Sequence, residues 1–206
     1  NYFKKDKAND NNLEICRKNK LKVSWEKYDP FKPKLDKIKV LEEISINKIL
    51  NFVDWKPFFE AWELHGKFPD ILKDPLVGDA AKDLWNDANK MIKKIIEKKL
   101  TQPKAVFGFW PANSDGDDIV IFESEKRTKI LNKLFFLRQQ INRKNSDRPN
   151  MCLADFIAPI GVKKDYIGGF LVTAGSGIED LSSEYENKND DYNSILVKSI
   201  GDRFAE

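Results

Sequence analysis

The chain is poor in the residues that most often build reactive centres. It has one histidine, His65, and two cysteines, Cys16 and Cys152. A histidine-based metal site or a Ser-His-Asp triad therefore has little to draw on, and the two thiols lie too far apart for metal or redox spacing. Thiols used so sparingly fit a thiol-keeping cytoplasm. No run approaches the roughly 20 apolar residues that a membrane span needs, and no signal-peptide pattern opens the sequence, so no membrane partner is expected. An excess of one charge is also missing: 36 basic residues face 33 acidic ones, a net of +3. That balance excludes a strongly basic nucleic-acid binder and an acidic tail protein. What is present is 206 residues, 41% hydrophobic and 12% aromatic. This length and composition predict one domain with a real core, or one domain with a tail.

Residues 1–20 mix Lys, Asn and Asp with no apolar period and read as a tail. The stretch from Val23 to Leu35 places Trp25, Tyr28 and Phe31 around Pro30 and Pro33. Proline holds φ and biases the residue before it to extended geometry, so this piece is expected as a strap along a surface or a plain Pro-rich linker. A short helix is expected from residue 38 through 53. Next comes a segment dense in aromatics, with Pro57 suited to a first helical turn and Gly66 to a helix end. Phe58, Phe59 and Trp62 then share a core face. Asp54, just ahead, is placed to cap the free N–H groups.

Residues 75–100 form the clearest helix, with Asp74 as cap and a stripe through Val77, Ala81, Leu84, Trp85, Ala88, Met91, Ile92, Ile95 and Ile96 at three- and four-residue steps. Strand signals follow over 105–110 and 118–124, around a turn rich in Asn, Asp and Gly. Residues 128–140 are ambiguous and lean to a strand ending at Leu137, with Arg138, Gln139 and Gln140 at its polar edge. A further strand is expected over 165–175, then helices over 178–187 and 190–206. Strands grouped between helices predict α+β architecture with an antiparallel sheet flanked by helices.

The residues alone name no proton-transfer or metal centre. Gly175-Ser176-Gly177 invites a phosphate-loop interpretation, but the third glycine and the surrounding βαβ unit are missing, which favours ordinary turn chemistry. Asp190-Asp191 fits a helix cap, His65 a helix end, and Cys152 a small buried hydrophobe.

Specific strings go further. Asp54-Trp55-Lys56-Pro57-Phe58-Phe59, Trp110-Pro111-Ala112-Asn113, Leu137-Arg138-Gln139-Gln140 and Cys152-Leu153-Ala154-Asp155-Phe156 occur in that order. Asp165-Tyr166-Ile167-Gly168, Asp190-Asp191-Tyr192 and Asp202-Arg203-Phe204-Ala205-Glu206 follow them. Together they resemble the C-terminal activation domain of cobalamin-dependent methionine synthase, over about residues 23–206. The resemblance implies a part in 5-methyltetrahydrofolate–homocysteine methyl transfer. When the corrinoid cobalt lapses to its inert Co(II) state, this domain presents S-adenosylmethionine while flavodoxin or another reductase supplies an electron. A sulfonium leaves as a neutral thioether, so no base is required, and no catalytic or metal-ligating residue is expected here.

The resemblance assigns Asp54 and Glu206 to S-adenosylmethionine, whose ammonium and sulfonium suit carboxylates. A helix cap for Asp54 and a solvated position for Glu206 are the plainer alternatives. It places cobalamin in an upstream domain and zinc in the homocysteine domain of the parent enzyme. Residues 1–36 become the tail and linker from the cobalamin-binding domain, and 37–206 an activation domain incomplete at its C-terminus. The family's Arg-x-x-x-Gly-Tyr-x-Pro string, which completes the pocket, is not in this sequence, so the chain alone is expected to bind its ligand weakly or not at all. A non-enzymatic docking module for a corrinoid protein or its reductase is the alternative.

Overall fold

The computed structural model describes residues 12–34, 38–142 and 147–206. The tail expected over residues 1–20 lies partly outside them, and the expected boundary between residues 36 and 37 wholly so. In chain order the elements are α1 (Leu13–Lys18), β1 (Lys39–Leu41), α2 (Ile46–Ile49), α3 (Lys56–Glu60), α4 (Gly78–Glu97), β2 (Lys104–Asp115) and β3 (Asp118–Phe122). They continue as β4 (Ile130–Leu134), β5 (Asp165–Thr173), α5 (Gly177–Glu186) and α6 (Asp191–Phe204). The strands run in the order β1-β2-β3-β4, with β5 also paired to β2. β1 is antiparallel to β2, β2 to β3 and β3 to β4, so the expected α+β class with an antiparallel sheet holds. Among the described residues no helix is long and apolar enough to cross a membrane.

The chain divides into two compact units. One gathers the described residues up to Ile38 with Gly108–Gly169, and the other Lys39–Phe107 with Phe170–Glu206. The second unit holds the larger core. Of the expected stripe, Ala81, Leu84, Ala88, Met91, Ile92 and Ile95 of α4 are buried there with Leu196, Val197 and Ile200 of α6, while Val77, Trp85 and Ile96 are half-buried against that core. Phe58 and Phe59 are buried in the same core, Phe59 stacked on Phe68 with ring centroids 5.8 Å apart. Each such ring contributes about 1.5–3 kcal/mol by leaving water. Asp190 caps α6 by accepting the Asn193 N–H at 3.1 Å, and the Tyr192 hydroxyl donates to Asp87 of α4 at 3.0 Å.

The glycine-rich turn expected near residue 175 is a packing device. Gly175 has φ +93°, and a Cβ on Gly177 would lie 1.7 Å from the Leu100 carbonyl oxygen. α5 therefore starts where backbone meets backbone, and only glycine fits.

The helix expected from residue 38 is corrected. Lys39–Leu41 is strand β1, with Lys39 opposite Phe107 and Leu41 opposite Ala105, and helix is confined to the four residues of α2. Pairing with β2 overrides a local pattern that the short span leaves undecided.

The first unit is built around Ala112, Ile119, Cys152 and Ala154, with Leu134, Phe136, Ile157 and Ile167 packed on them. β2 reaches Asp115 before the turn at Gly116, which has φ +66°. Two aromatics of β2 lie against glycines. A Cβ on Gly108 would meet the Trp110 ring at 2.8 Å, and one on Gly168 the Phe109 ring at 2.9 Å.

α1 differs from the expected structureless tail. Asn12 accepts the Glu14 N–H at 2.9 Å, Cys16 is fully buried, and Arg17 Nε donates to Asp117 at 2.8 Å. A helix of six residues is marginal alone, and these tertiary contacts hold it.

Candidate functional site

Both carboxylates assigned from the resemblance lie in the second unit, on one cavity of about 350 Å³. Asp54 sits on the short connection between α2 and α3. Its Oδ1 accepts the Lys56 N–H at 2.9 Å, so part of the capping expectation holds, and the rest of this exposed carboxylate faces outward. Glu206 follows the end of α6, is 63% exposed and forms an ion pair with Arg203. Arg203 lines the same cavity, as do Lys104 and Thr173. The apolar wall comes from Ile44, Ile49, Val53, Val172 and Phe204, and Phe52 stands beside it, 88% exposed. Carboxylates next to apolar walls can take a ligand that carries both a cationic centre and an apolar body.

Sequence reasoning missed Phe52 and Arg203. Arg203 stood inside a quoted string, three residues before Glu206, and that helical spacing was its available signal. Phe52 belongs to no periodic pattern.

The other matched strings form a polar framework in the first unit. Arg138, expected at a polar edge, is corrected: its side chain is fully buried. It forks onto Asp155 at 2.8 and 2.7 Å, donates from Nε to Asp117 at 2.7 Å, and reaches the Asn150 carbonyl at 2.7 Å. Two carboxylates and a carbonyl satisfy a guanidinium that desolvation would otherwise penalise. Burial pushes the Asp117 carboxyl up, but hydrogen bonds from Arg17 and Arg138 outweigh it and hold the group below the usual carboxylate range. Asn113 donates to the carbonyls of Ala158 at 2.8 Å and Lys163 at 2.7 Å and accepts from Arg127 at 2.7 Å. Asp165 accepts the N–H groups of Ala158 and Tyr166, both at 2.8 Å.

Cys152 is buried as expected. Burial pushes its thiol up, and its Sγ donates to the Asp117 carbonyl at 3.2 Å. His65 is exposed and lies outside the residues lining the cavity. Among the described residues no group of three or more His, Cys, Asp and Glu is placed to hold a metal ion.

Antiparallel strands, a helical core and a cavity combining carboxylates with apolar walls define an α+β domain. Residues 45–206 match the family model for the vitamin B12 dependent methionine synthase activation domain, and the chain belongs to that family. It is also similar to a solved structure, the MetH reactivation domain bound to AdoHcy, at 41% sequence identity with a TM-score of 0.90. That match covers 96% of this chain and 60% of the solved one.

Proposed function

We propose that this chain holds S-adenosylmethionine for the reactivation of a cobalamin-dependent methionine synthase, with Asp54 and Glu206 receiving the ligand's cationic groups. The observation that supports this most directly is their meeting on one cavity from opposite ends of the second unit's sequence. The residues present suit the ligand. A carboxylate pairs with an ammonium or sulfonium, and apolar walls beside it exclude water and strengthen that pairing. Arg203 neutralises part of the Glu206 charge, leaving Asp54 as the more available anion.

Methyl transfer from a sulfonium moves no proton, so the chain's contribution is binding and orientation, which alone can supply much of a rate enhancement. Cobalamin, carried by another domain of the enzyme, supplies the cobalt nucleophile, with flavodoxin or another reductase as electron source. Zinc belongs to the homocysteine domain. Residues 1–36 lead to the cobalamin-binding domain, residues 37–206 belong to the activation domain, and the cytoplasm is the compartment.

Titration of the chain with S-adenosylmethionine, followed by NMR into the millimolar range, tests the assignment. Asp54→Asn keeps an acceptor for the Lys56 N–H and removes the charge. Weak saturable binding by the wild type, in the high micromolar to millimolar range and weakened roughly tenfold or more in the variant, is expected. No saturable binding, or equal affinity in both proteins, overturns it.

A further inference from the structure

We propose that Phe52 is the stacking platform for the purine ring of the adenosyl ligand, and so a specificity-determining residue of this cavity; the inference rests on the function proposed above. Phe52 lines the cavity yet is 88% exposed, so its ring stands at the mouth rather than in the core. An exposed phenylalanine forgoes the burial that stabilises Phe58, Phe59 and Phe204. Its backbone is nevertheless held: the Phe52 N–H donates to the Ile49 carbonyl at 2.8 Å as α2 ends, and the Asn51 N–H to the Lys48 carbonyl at 3.4 Å.

Two residues later Asp54 is pinned by the Lys56 N–H. One short connection therefore carries an aromatic face and a carboxylate, both lining one cavity and each on a fixed backbone. Asp54 suits the cationic amino-acid part of an adenosyl sulfonium. The ring of Phe52 suits its flat base, because aromatic pairs gain from stacking beyond the area they bury. The apolar walls at Val53, Val172 and Phe204 take no hydrogen bonds from the purine edge, so ring contact is what separates an adenosyl ligand from a simple sulfonium here.

Two probes test this on the full chain: S-adenosylhomocysteine, and 5′-methylthioadenosine, which keeps the purine and lacks the amino acid. Because Phe52 is exposed, Phe52→Ala should leave the thermal unfolding midpoint in place. Its dissociation constant for both probes should rise about tenfold, and Phe52→Tyr should restore affinity. The purine H2 and H8 resonances should move upfield on binding the wild type and Phe52→Tyr but not Phe52→Ala. Unchanged affinities in Phe52→Ala overturn the stacking role and leave the cavity's assignment standing. A loss for S-adenosylhomocysteine alone also overturns it, since the purine is common to both probes. Absence of saturable wild-type binding to S-adenosylhomocysteine removes the proposed function and this inference together.

Discussion

Arg138 and Asp155 meet as a planar fork, NH1 on Oδ2 at 2.8 Å and NH2 on Oδ1 at 2.7 Å, with the guanidinium wholly out of solvent. The pair explains two of the matched strings at once. One provides the arginine, and the other provides the carboxylate, whose Oδ2 also accepts the Cys152 N–H at 3.0 Å. These residues brace the fold of the first unit and do not line the cavity of Asp54 and Glu206.

Removing one half of the fork strands the other. Asp155→Asn is expected to lower the unfolding free energy by about 3 kcal/mol, read from urea denaturation. Arg138→Lys should behave similarly, because a point-like ammonium cannot reproduce the bidentate geometry. A loss within the scatter of surface substitutions would show that the fork contributes little.

Tyr192 gives a prediction in alkali. Burial and then the hydrogen bond to Asp87 push its phenol up to about 12. A raised folded value means that the stabilisation is complete below the unfolded pKa of about 10 and is lost as pH rises through the folded one. Stability should therefore decline between pH about 10 and about 12, and Tyr192→Phe should flatten that part of the profile. An ultraviolet titration that finds the Tyr192 phenol ionising at about pH 10 would refute this.

Two glycines separate close packing from backbone conformation. A Cβ at Gly177 would meet the Leu100 carbonyl oxygen at 1.7 Å, whereas Gly116, at φ +66°, has nothing within 4 Å of its Cβ position. Gly116→Ala should cost about 1 kcal/mol for its left-handed backbone. Gly177→Ala should cost about 3 kcal/mol or more, because backbone must move. Equal thermal shifts would contradict the packing account.

Much of the second unit was legible in the residues. The α4 stripe, the buried Phe58 and Phe59 and the Asp190 cap follow from period and local chemistry, which neighbours in sequence dictate. β1 and α1 did not, since each is too short to carry a period and depends on partners distant in sequence, Phe107 for one and Asp117 for the other. Arg138 looked like a polar edge because a buried arginine is recognised by its partners, and these are distant in sequence. Motif resemblance singled out Asp54 and Glu206, which line one cavity. Phe52 escaped because an exposed aromatic has no pattern that sets it apart from a surface accident.

Asp117 is shared by Arg17 of α1 and by Arg138, so the segment from Asn12 onward is moored to the first unit. Asn19 and Asn150 add a second mooring, Nδ2 to Oδ1 at 2.8 Å. A free chain over residues 12–34 would stretch up to about 80 Å. Moored, those residues lend almost none of that length. The start of the described chain is thus fixed at Asp117, where two arginines each take one oxygen of a single carboxylate.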